Sequence, residues 1–104
     1  MSVYIIAKLT IHDRDAYNLY QDSFMEVFAK FDGTLLSVDE EPTVLQGEFA
    51  ATRTVLMEFP SKEQAMAWMT SPEYQAIAKH RVAGSTGDII MVQGLDPEAP
   101  LPSG

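Results

Sequence analysis

Arg53, at the start of a predicted strand, is the residue of this sequence that most clearly suggests a chemical role. A guanidinium group can grip a carboxylate or an enolate through two parallel hydrogen bonds, and it can stabilise negative charge that develops during a reaction. The alternative is a structural ion pair at the strand end, with Glu48 across a hairpin as the partner. Glu58 lies five positions further on, so its side chain points to the other face of the strand. Arg53 and Glu58 are therefore not expected to pair directly.

His80 is the candidate general base, because histidine titrates near neutral pH. It stands near the end of a predicted helix, where the helix dipole favours the charged imidazolium. The alternative is a partly exposed histidine without a catalytic role, since Ile77 and Arg81, and not His80, continue the buried stripe of that helix. A tyrosine is the other residue type in the chain that could move a proton. We expect His80 and Arg53 to be the catalytic pair if the protein is an enzyme.

A group of aromatic residues could line a pocket for a planar aromatic or quinone-like ligand. Tyrosine hydroxyls and the indole nitrogen need hydrogen-bond partners when buried, so some of them are expected to border a cavity. The alternative is that these aromatic residues simply form the core. Six methionines would let such a pocket adapt to its ligand. The predicted substrate-binding residues are Trp68, Tyr17, Tyr20, Tyr74 and Arg81.

Several other chemistries find no support in the sequence. There are no cysteines, which excludes disulfides and thiolate sites. The two histidines lack a ligand partner at helical spacing, so we expect no metal site and no cofactor; an axial haem ligand needs only one histidine, but nothing favours haem. Ser61 and Ser71 are better explained as helix caps than as nucleophiles.

Composition narrows the possible partners. The net charge is -8, and no cluster of lysine and arginine is present, so we expect neither nucleic acid nor an anionic membrane surface as a partner. The early apolar run at residues 3–7 is too short for a signal peptide or a membrane span. Cytoplasmic localisation is the expectation, in keeping with the absence of cysteine.

The first half of the chain predicts a strand, a helix and short strands. Apolar residues alternate from Val3 to Ile11, which is typical of a strand with one face in a core. Asp13 is suited to cap a helix over residues 13–32, whose aromatic residues recur at spacings of three and four. Gly33 is expected to end that helix in a left-handed conformation. Residues 35–38 and 43–46 are strand candidates.

The second half repeats this order. Residues 53–59 alternate as a strand that Pro60 ends. Ser61 begins a helix with a capping box that includes Gln64, and Ser71 restarts the helix with proline at its first position. The helix is expected to run to about residue 82, followed by a loop at 84–87 and a strand at 88–93. Residues 1–95 are thus predicted to be one domain, and residues 96–104 a proline-rich tail.

Two strand-helix-strand units of this kind predict an α+β fold. We expect a ferredoxin-like βαββαβ antiparallel sheet with both helices on one face. The other face would still carry Tyr4, Ile6 and Leu56, and an uncovered apolar sheet face invites a partner. A homodimer that packs two such sheets face to face, as a dimeric α/β barrel, removes that exposure.

The sequence also resembles a known family, the domain of unknown function 1330, within the dimeric α/β-barrel superfamily. The resemblance covers residues 3–95 and is most specific from Arg53 to Gln75. The residues that carry it are Tyr4, Asp13, Tyr17, Tyr20, Gly33, Gly47-Glu48, Arg53, Glu58-Phe59-Pro60-Ser61, Ala65, Trp68, Ser71-Pro72-Glu73-Tyr74-Gln75 and Arg81. The chain departs from the family pattern at Arg14, where proline is common, and at Asp39-Glu40-Glu41, where the family tends to have an Arg-Gly-Gly turn.

The resemblance implies a fold and a range of activities. Members of the superfamily include cofactor-free monooxygenases, small-ring isomerases, haem enzymes and ligand-binding proteins, so the fold alone does not choose among them. The first hypothesis is a dimer that binds a small organic molecule and acts on it by cofactor-independent proton transfer or oxygenation. The second is a non-catalytic ligand-binding or dimerisation module. A solvent-connected cavity beside Trp68, Arg53 and a tyrosine would favour the first, and a fully packed core the second.

Overall fold

The computed structural model describes residues 1–101, which form an α+β fold with four strands and three helices. Residues 102–104, the end of the predicted tail, lie outside the described residues. The elements in chain order are β1 (Val3–Ile11), α1 (Arg14–Phe28), β2 (Thr34–Asp39), β3 (Arg53–Phe59), α2 (Lys62–Met69), α3 (Pro72–Gly84) and β4 (Ser85–Gln93).

The sheet is antiparallel, with strand order β2-β3-β1-β4. This is the predicted ferredoxin-like arrangement with the first and third strands in the centre. Strand β1 pairs with β3 from Val3 opposite Phe59 to Leu9 opposite Arg53. The odd-numbered residues of β1 from Val3 to Leu9 are buried, which confirms the face predicted from the alternation.

The helices begin at the residues that the sequence indicates. The Asp13 carboxylate accepts a hydrogen bond from the amide of Ala16, and the Ser61 hydroxyl accepts one from the amide of Gln64. The Ser71 hydroxyl accepts a hydrogen bond from the amide of Tyr74. Such caps satisfy amide hydrogens that have no partner within the helix. The predicted restart at Ser71 divides the second helical region into α2 and α3.

Close packing between the end of α3 and the start of α1 fixes one end of the helical layer. The Gly84 carbonyl accepts hydrogen bonds from the amides of His12 and Asp13 at 3.0 and 3.1 Å. A Cβ atom at Gly84 would lie 2.6 Å from the backbone nitrogen of Tyr17. Only glycine allows this approach, so the end of α3 packs directly against the first turn of α1.

Four local expectations were wrong. Helix α1 ends at Phe28, and Gly33 is not in a left-handed conformation, since Gly47 is the glycine with a positive φ among the described residues. Gly33 is instead needed for space, because a Cβ atom there would lie 2.5 Å from the Phe28 ring. Residues 43–46 form no strand, and residues 40–52 connect β2 to β3 without regular structure. Strand β4 begins directly after α3, so the predicted loop at 84–87 is absent.

The sheet face opposite the helices is partly apolar and uncovered in the single chain. Ile6, Ile90 and Val92 are 38%, 53% and 38% exposed on adjacent strands. Tyr4 lies on the same face directly opposite Glu58, and that carboxylate raises the pKa of the Tyr4 hydroxyl. We refer to the side chains on this surface as the open sheet face.

None of the helices within residues 1–101 is long and apolar enough to span a membrane.

Candidate functional site

A cavity of about 190 Å³ lies between the helices and the covered face of the sheet and is partly open to solvent. Most of its lining is apolar, and it comes from β1, α1, β2, β3, α2, α3 and β4. The lining residues are Ile5, Ala7, Leu9, Tyr17, Tyr20, Gln21, Phe24, Met25, Leu35, Val38, Arg53, Val55, Met57, Trp68, Met69, Tyr74, Arg81 and Ile89. The aromatic core is therefore not fully packed, and the space left inside it adjoins Trp68 and Arg53.

The aromatic side of the cavity is built around Trp68, which is 1% exposed. Its ring centroid lies 4.2 Å from that of Tyr74 and 5.5 Å from that of Phe59, with which it stacks. The Phe24 ring meets the indole edge to face at 6.1 Å. This wall is rigid, because each ring is held by two or more neighbours in the offset or edge-to-face geometries that aromatic pairs prefer.

The cationic side of the cavity lies near the end of β1. Arg53 of β3 lies opposite Leu9 of β1 in the sheet. Arg81 lies four residues before Ser85 of β4, which is opposite Ile11 of β1. Trp68, in contrast, packs on Phe59, which pairs with the opposite end of β1. The cavity thus has an apolar aromatic side and a cationic side, separated along the strand direction.

Arg53 is held against Tyr17 at the cationic side. Its Nη1 donates a hydrogen bond to the Tyr17 hydroxyl at 3.2 Å, and its guanidinium carbon lies 5.1 Å from the centre of the Tyr17 ring. The side chain is 13% exposed. A guanidinium that stacks on an aromatic ring keeps its edge free for hydrogen bonds. Tyr17 therefore orients Arg53 without using all of its donors.

Three buried donors in the cavity lining have no hydrogen-bond partner among the described residues. They are Arg53 Nε, Arg81 Nε and Trp68 Nε1, each with almost no exposed surface. A buried donor without a partner costs about 1–3 kcal/mol, and native structures contain few of them. The three residues that carry these donors all line one cavity, so an acceptor is expected near it.

The remaining hydroxyls in the cavity are arranged as a pair. The Tyr20 and Tyr74 oxygens lie 3.0 Å apart and share a hydrogen bond. Burial raises the pKa of Tyr20, and the neighbouring Tyr74 hydroxyl raises it further, while Arg81 acts weakly in the opposite direction. Tyr20 is therefore neutral at physiological pH, so it can donate or accept a hydrogen bond but does not serve as a base.

The ion pair at Arg53 differs from the one expected. Glu48 is not its partner; Glu40 Oε2 lies 3.7 Å from Arg53 Nε and 3.0 Å from Arg14 Nη1. The shorter contact to Arg14 is a hydrogen bond, whereas 3.7 Å is too long for one. Glu40 is thus shared unequally between Arg14 and Arg53. The structural alternative for Arg53 is therefore present as an ion pair with Glu40, but the Nε donor makes no hydrogen bond.

The structure brings together all the predicted site residues except His80. Trp68, Tyr17, Tyr20, Tyr74 and Arg81 line the cavity with Arg53. His80 lies on α3 but does not belong to the lining. Its assignment as a general base stays a prediction that the cavity geometry does not support. Within residues 1–101, the lining contains no carboxylate and no histidine, so it offers donors rather than a base.

Two further residues at the site were missed by sequence reasoning. Gln21 lines the cavity one helical turn after Tyr17, and its position on the aromatic stripe of α1 is a signal that could have found it. Glu40 reaches Arg53 from the irregular segment after β2, and nothing in its local sequence indicates that contact.

No group of three metal-ligating side chains occurs in the part of the chain that the structure describes.

Comparisons with solved structures show the same fold at low sequence identity. A protein of unknown function from Rhodopseudomonas palustris is 18% identical, with a TM-score of 0.77 over 92% of this chain and 84% of that one. SnoaB, a cofactor-independent oxygenase from Streptomyces nogalater, is 15% identical, with a TM-score of 0.63 over 98% of both chains. A dimeric protein of unknown function with a ferredoxin-like fold from Bacteroides fragilis is 17% identical, with a TM-score of 0.56 over 89% of this chain and 96% of that one.

Sequence comparison assigns the family. No functionally curated protein matches the chain. The sequence profile described as Domain of unknown function (DUF1330) matches residues 2–95, which is nearly the whole chain and includes every residue of the cavity lining. The match agrees with the resemblance carried by Arg53 to Gln75. The chain therefore belongs to the DUF1330 family, and it has a ferredoxin-like fold.

Proposed function

We propose that the protein binds a small aromatic anion in the cavity between its helices and its sheet. The observation that carries this proposal is that three residues of one apolar cavity lining, Arg53, Arg81 and Trp68, each carry a buried donor without a hydrogen-bond partner. An acceptor from a ligand would remove the cost of burying these donors alone. Two of the three belong to guanidinium groups, which prefer carboxylate and other oxyanions.

The distribution of charge supports an anionic ligand. Arg14, Arg53 and Arg81 are the three arginines of the chain, and all lie in or beside the cavity, although the net charge is -8. Glu40 is the carboxylate in ion-pair contact with this group among the described residues. Glu40 is shared between Arg14 and Arg53, and Arg81 makes no ion pair within residues 1–101.

The size of the cavity limits the ligand to one or two rings. An apolar cavity of about 150 Å³ accommodates benzene, and this cavity measures about 190 Å³. The aromatic wall of Trp68, Tyr74 and Phe24 suits a planar ligand, and the cationic side suits an oxygen-bearing substituent at one end of it. A fused two-ring carboxylate such as 2-naphthoate combines these features.

The direct test compares an anion with a neutral molecule of the same shape. Isothermal titration calorimetry with 2-naphthoate and with 2-naphthamide measures the contribution of the negative charge. Trp68 is the only tryptophan of the chain and lines the cavity, so a change in its fluorescence locates the ligand there. We expect the carboxylate to bind at least tenfold more tightly than the amide, since a charge-assisted hydrogen bond contributes about 1.5–3 kcal/mol.

A panel of one- and two-ring carboxylates and phenols extends the same test. If none of them raises the melting temperature or changes Trp68 fluorescence, or if the neutral amides bind as well as the acids, the proposal fails. Native mass spectrometry of the purified protein adds an unbiased check, because a retained ligand would appear as extra mass.

Cofactor-independent oxygenation is a second candidate. SnoaB, which shares the fold, is described as a cofactor-independent oxygenase. In the present chain, Arg53 and Arg81 lie where they would stabilise a phenolate, and an electron-rich phenolate supplies the electrons that reduce O₂. The lining offers no base, so the deprotonation would fall to solvent. Oxygen uptake with 1,4-dihydroxynaphthalene above the uncatalysed rate would support this activity, and uptake unchanged by Arg53→Met would exclude it at this site.

We also infer that the protein is a homodimer, formed through the open sheet face. Ile6, Ile90 and Val92 leave an apolar strip exposed on three adjacent positions of the sheet. A two-fold pairing of such faces buries this strip without new elements, and the Bacteroides fragilis protein of the same fold is described as dimeric. A cytoplasmic localisation, which the absence of cysteine favours, stays a proposal.

A further inference from the structure

The contact between Glu40 and Arg53 places a negative charge of the protein itself beside the proposed anion site. Glu40 Oε2 lies 3.7 Å from Arg53 Nε and 3.0 Å from Arg14 Nη1. Its side chain is 41% exposed, whereas that of Arg53 is 13% exposed. The carboxylate is therefore more exposed to solvent than the guanidinium beside it, and Glu40 does not itself line the cavity.

The backbone around Glu40 is held on both sides. The Thr54 hydroxyl donates a hydrogen bond to the Asp39 carbonyl at 2.9 Å, and the Glu41 amide donates one to the Asp39 carboxylate at 2.8 Å. The first bond attaches the end of β2 to strand β3, and the second holds the turn that follows β2. The position of the Glu40 carboxylate is thus defined by the fold and by its hydrogen bond to Arg14.

We propose that Glu40 is a specificity-determining residue that weakens the hold of Arg53 on anionic ligands, and that Arg14 draws Glu40 away from Arg53. This inference rests on the proposed binding of an aromatic anion. An anion that accepts a hydrogen bond from Arg53 Nε meets a second negative charge beside the same atom, because Glu40 Oε2 lies 3.7 Å from it. Arg14 lowers that competition, because it offers Glu40 a shorter contact than Arg53 does.

Glu40 and Arg14 therefore have opposite effects on the affinity of Arg53 for an anion. Removing the charge of Glu40 strengthens the binding of an anion and leaves the binding of a neutral analogue unchanged. Removing Arg14 leaves Glu40 to Arg53 alone and weakens the binding of an anion. Arg14 itself does not line the cavity, so it acts on the ligand only through Glu40.

A double-mutant cycle tests this coupling. The affinities of wild type, Glu40→Gln, Arg14→Gln and the double variant for 2-naphthoate are measured by calorimetry, with 2-naphthamide as the neutral ligand. For partly exposed charges we expect Glu40→Gln to tighten naphthoate binding about three- to fivefold and Arg14→Gln to weaken it by a similar factor. In the Glu40→Gln background, Arg14→Gln should have little further effect.

Glu41→Gln is the matched control. It removes the same charge from the neighbouring residue, which is exposed and makes no ion pair within residues 1–101. A long-range effect of net charge would act equally in both variants, whereas competition at Arg53 would act only in Glu40→Gln. Equal tightening in the two variants would therefore overturn the proposal.

The possible failures are distinguishable. If wild type binds naphthoate but Glu40→Gln binds it no better, or binds it less well, Glu40 does not compete and instead orients Arg53, so this inference fails while the proposed function stands. If neither wild type nor any variant binds naphthoate, the proposed function fails and this inference fails with it. Melting temperatures within a few degrees of wild type would show that the affinity changes do not come from partial unfolding.

Discussion

Replacing Arg53 by methionine separates a ligand-binding role of this residue from a structural one. Methionine is close to the arginine stem in length and suits an apolar cavity wall. The change removes the unpartnered Nε donor, the hydrogen bond to Tyr17 and the distant ion pair with Glu40. The two roles predict opposite results for stability and for affinity.

The structure indicates a small effect on stability. The ion pair with Glu40 spans 3.7 Å to a side chain that is 41% exposed, and such pairs contribute about 0–1 kcal/mol. The hydrogen bond to Tyr17 contributes about 0.5–1.5 kcal/mol. The same Nε makes no hydrogen bond, so its removal also relieves part of a burial cost of about 1–3 kcal/mol, which offsets these losses. We expect the free energy of unfolding to change by less than about 1.5 kcal/mol.

The effect on anion affinity should be much larger. Arg53 would contribute at least one charge-assisted hydrogen bond to a ligand oxygen, worth about 1.5–3 kcal/mol. This corresponds to a loss of about 10- to 150-fold in affinity for 2-naphthoate. The affinity for 2-naphthamide should fall by much less, because that ligand carries no charge.

Urea unfolding and calorimetric titration of the same preparations provide the two measurements. Lys79→Met is the control, since Lys79 is an exposed residue of α3 that does not line the cavity. It makes the same change in net charge and should leave affinity unaltered. Unchanged naphthoate affinity with a loss of more than about 2 kcal/mol in stability would refute the reasoning and make Arg53 a structural residue.

Three other perturbations test the surrounding structure. Tyr20 has a raised pKa in the folded protein, so its contribution to stability is complete below the ordinary tyrosine pKa of about 10 and declines as the pH rises above it. Urea unfolding between about pH 9 and 11 should show a steeper decline for wild type than for Tyr20→Phe, and equal slopes would contradict this. Gly84→Ala places a Cβ atom 2.6 Å from the Tyr17 backbone nitrogen and should cost about 1–3 kcal/mol in thermal or urea unfolding, whereas an unchanged stability would show that the helices can separate. Ile6→Lys puts a charge on the open sheet face and should convert the proposed dimer to monomer in analytical ultracentrifugation, while a persisting dimer would place the interface elsewhere.

The fold was predictable because its signals are local and agree with one another. The alternation from Val3 to Ile11 identified the buried face of the central strand, and Ser61 and Ser71 identified two helix starts. Each of these patterns depends on residues that are close together in the sequence, so it can be interpreted without a structure. The arrangement of the sheet could then be predicted, because two strand-helix-strand units have few ways to bury their apolar faces.

The errors occurred where a residue's role depends on distant parts of the chain. Gly33 suggested a left-handed helix end, but its small size is needed to admit the rings of Phe28 and Phe59. The partner of Arg53 was expected across a hairpin at Glu48, and the structure supplies Glu40 instead. Segment 40–52 has no repeating pattern, so its path and contacts cannot be inferred from periodicity.

The candidate site shows why the overall charge of the chain does not decide the charge of its ligand. A net charge of -8 argues against partners with extended negative surfaces, because these meet many acidic residues at once. A small anion inside the cavity experiences an electrostatic field that differs from the field at the protein surface. Exposed charges are screened over about 8 Å at physiological ionic strength, whereas buried ones are screened much less. Arg53 and Arg81 therefore dominate the field that such a ligand experiences, and Glu40 is the acidic residue close enough to Arg53 to oppose it.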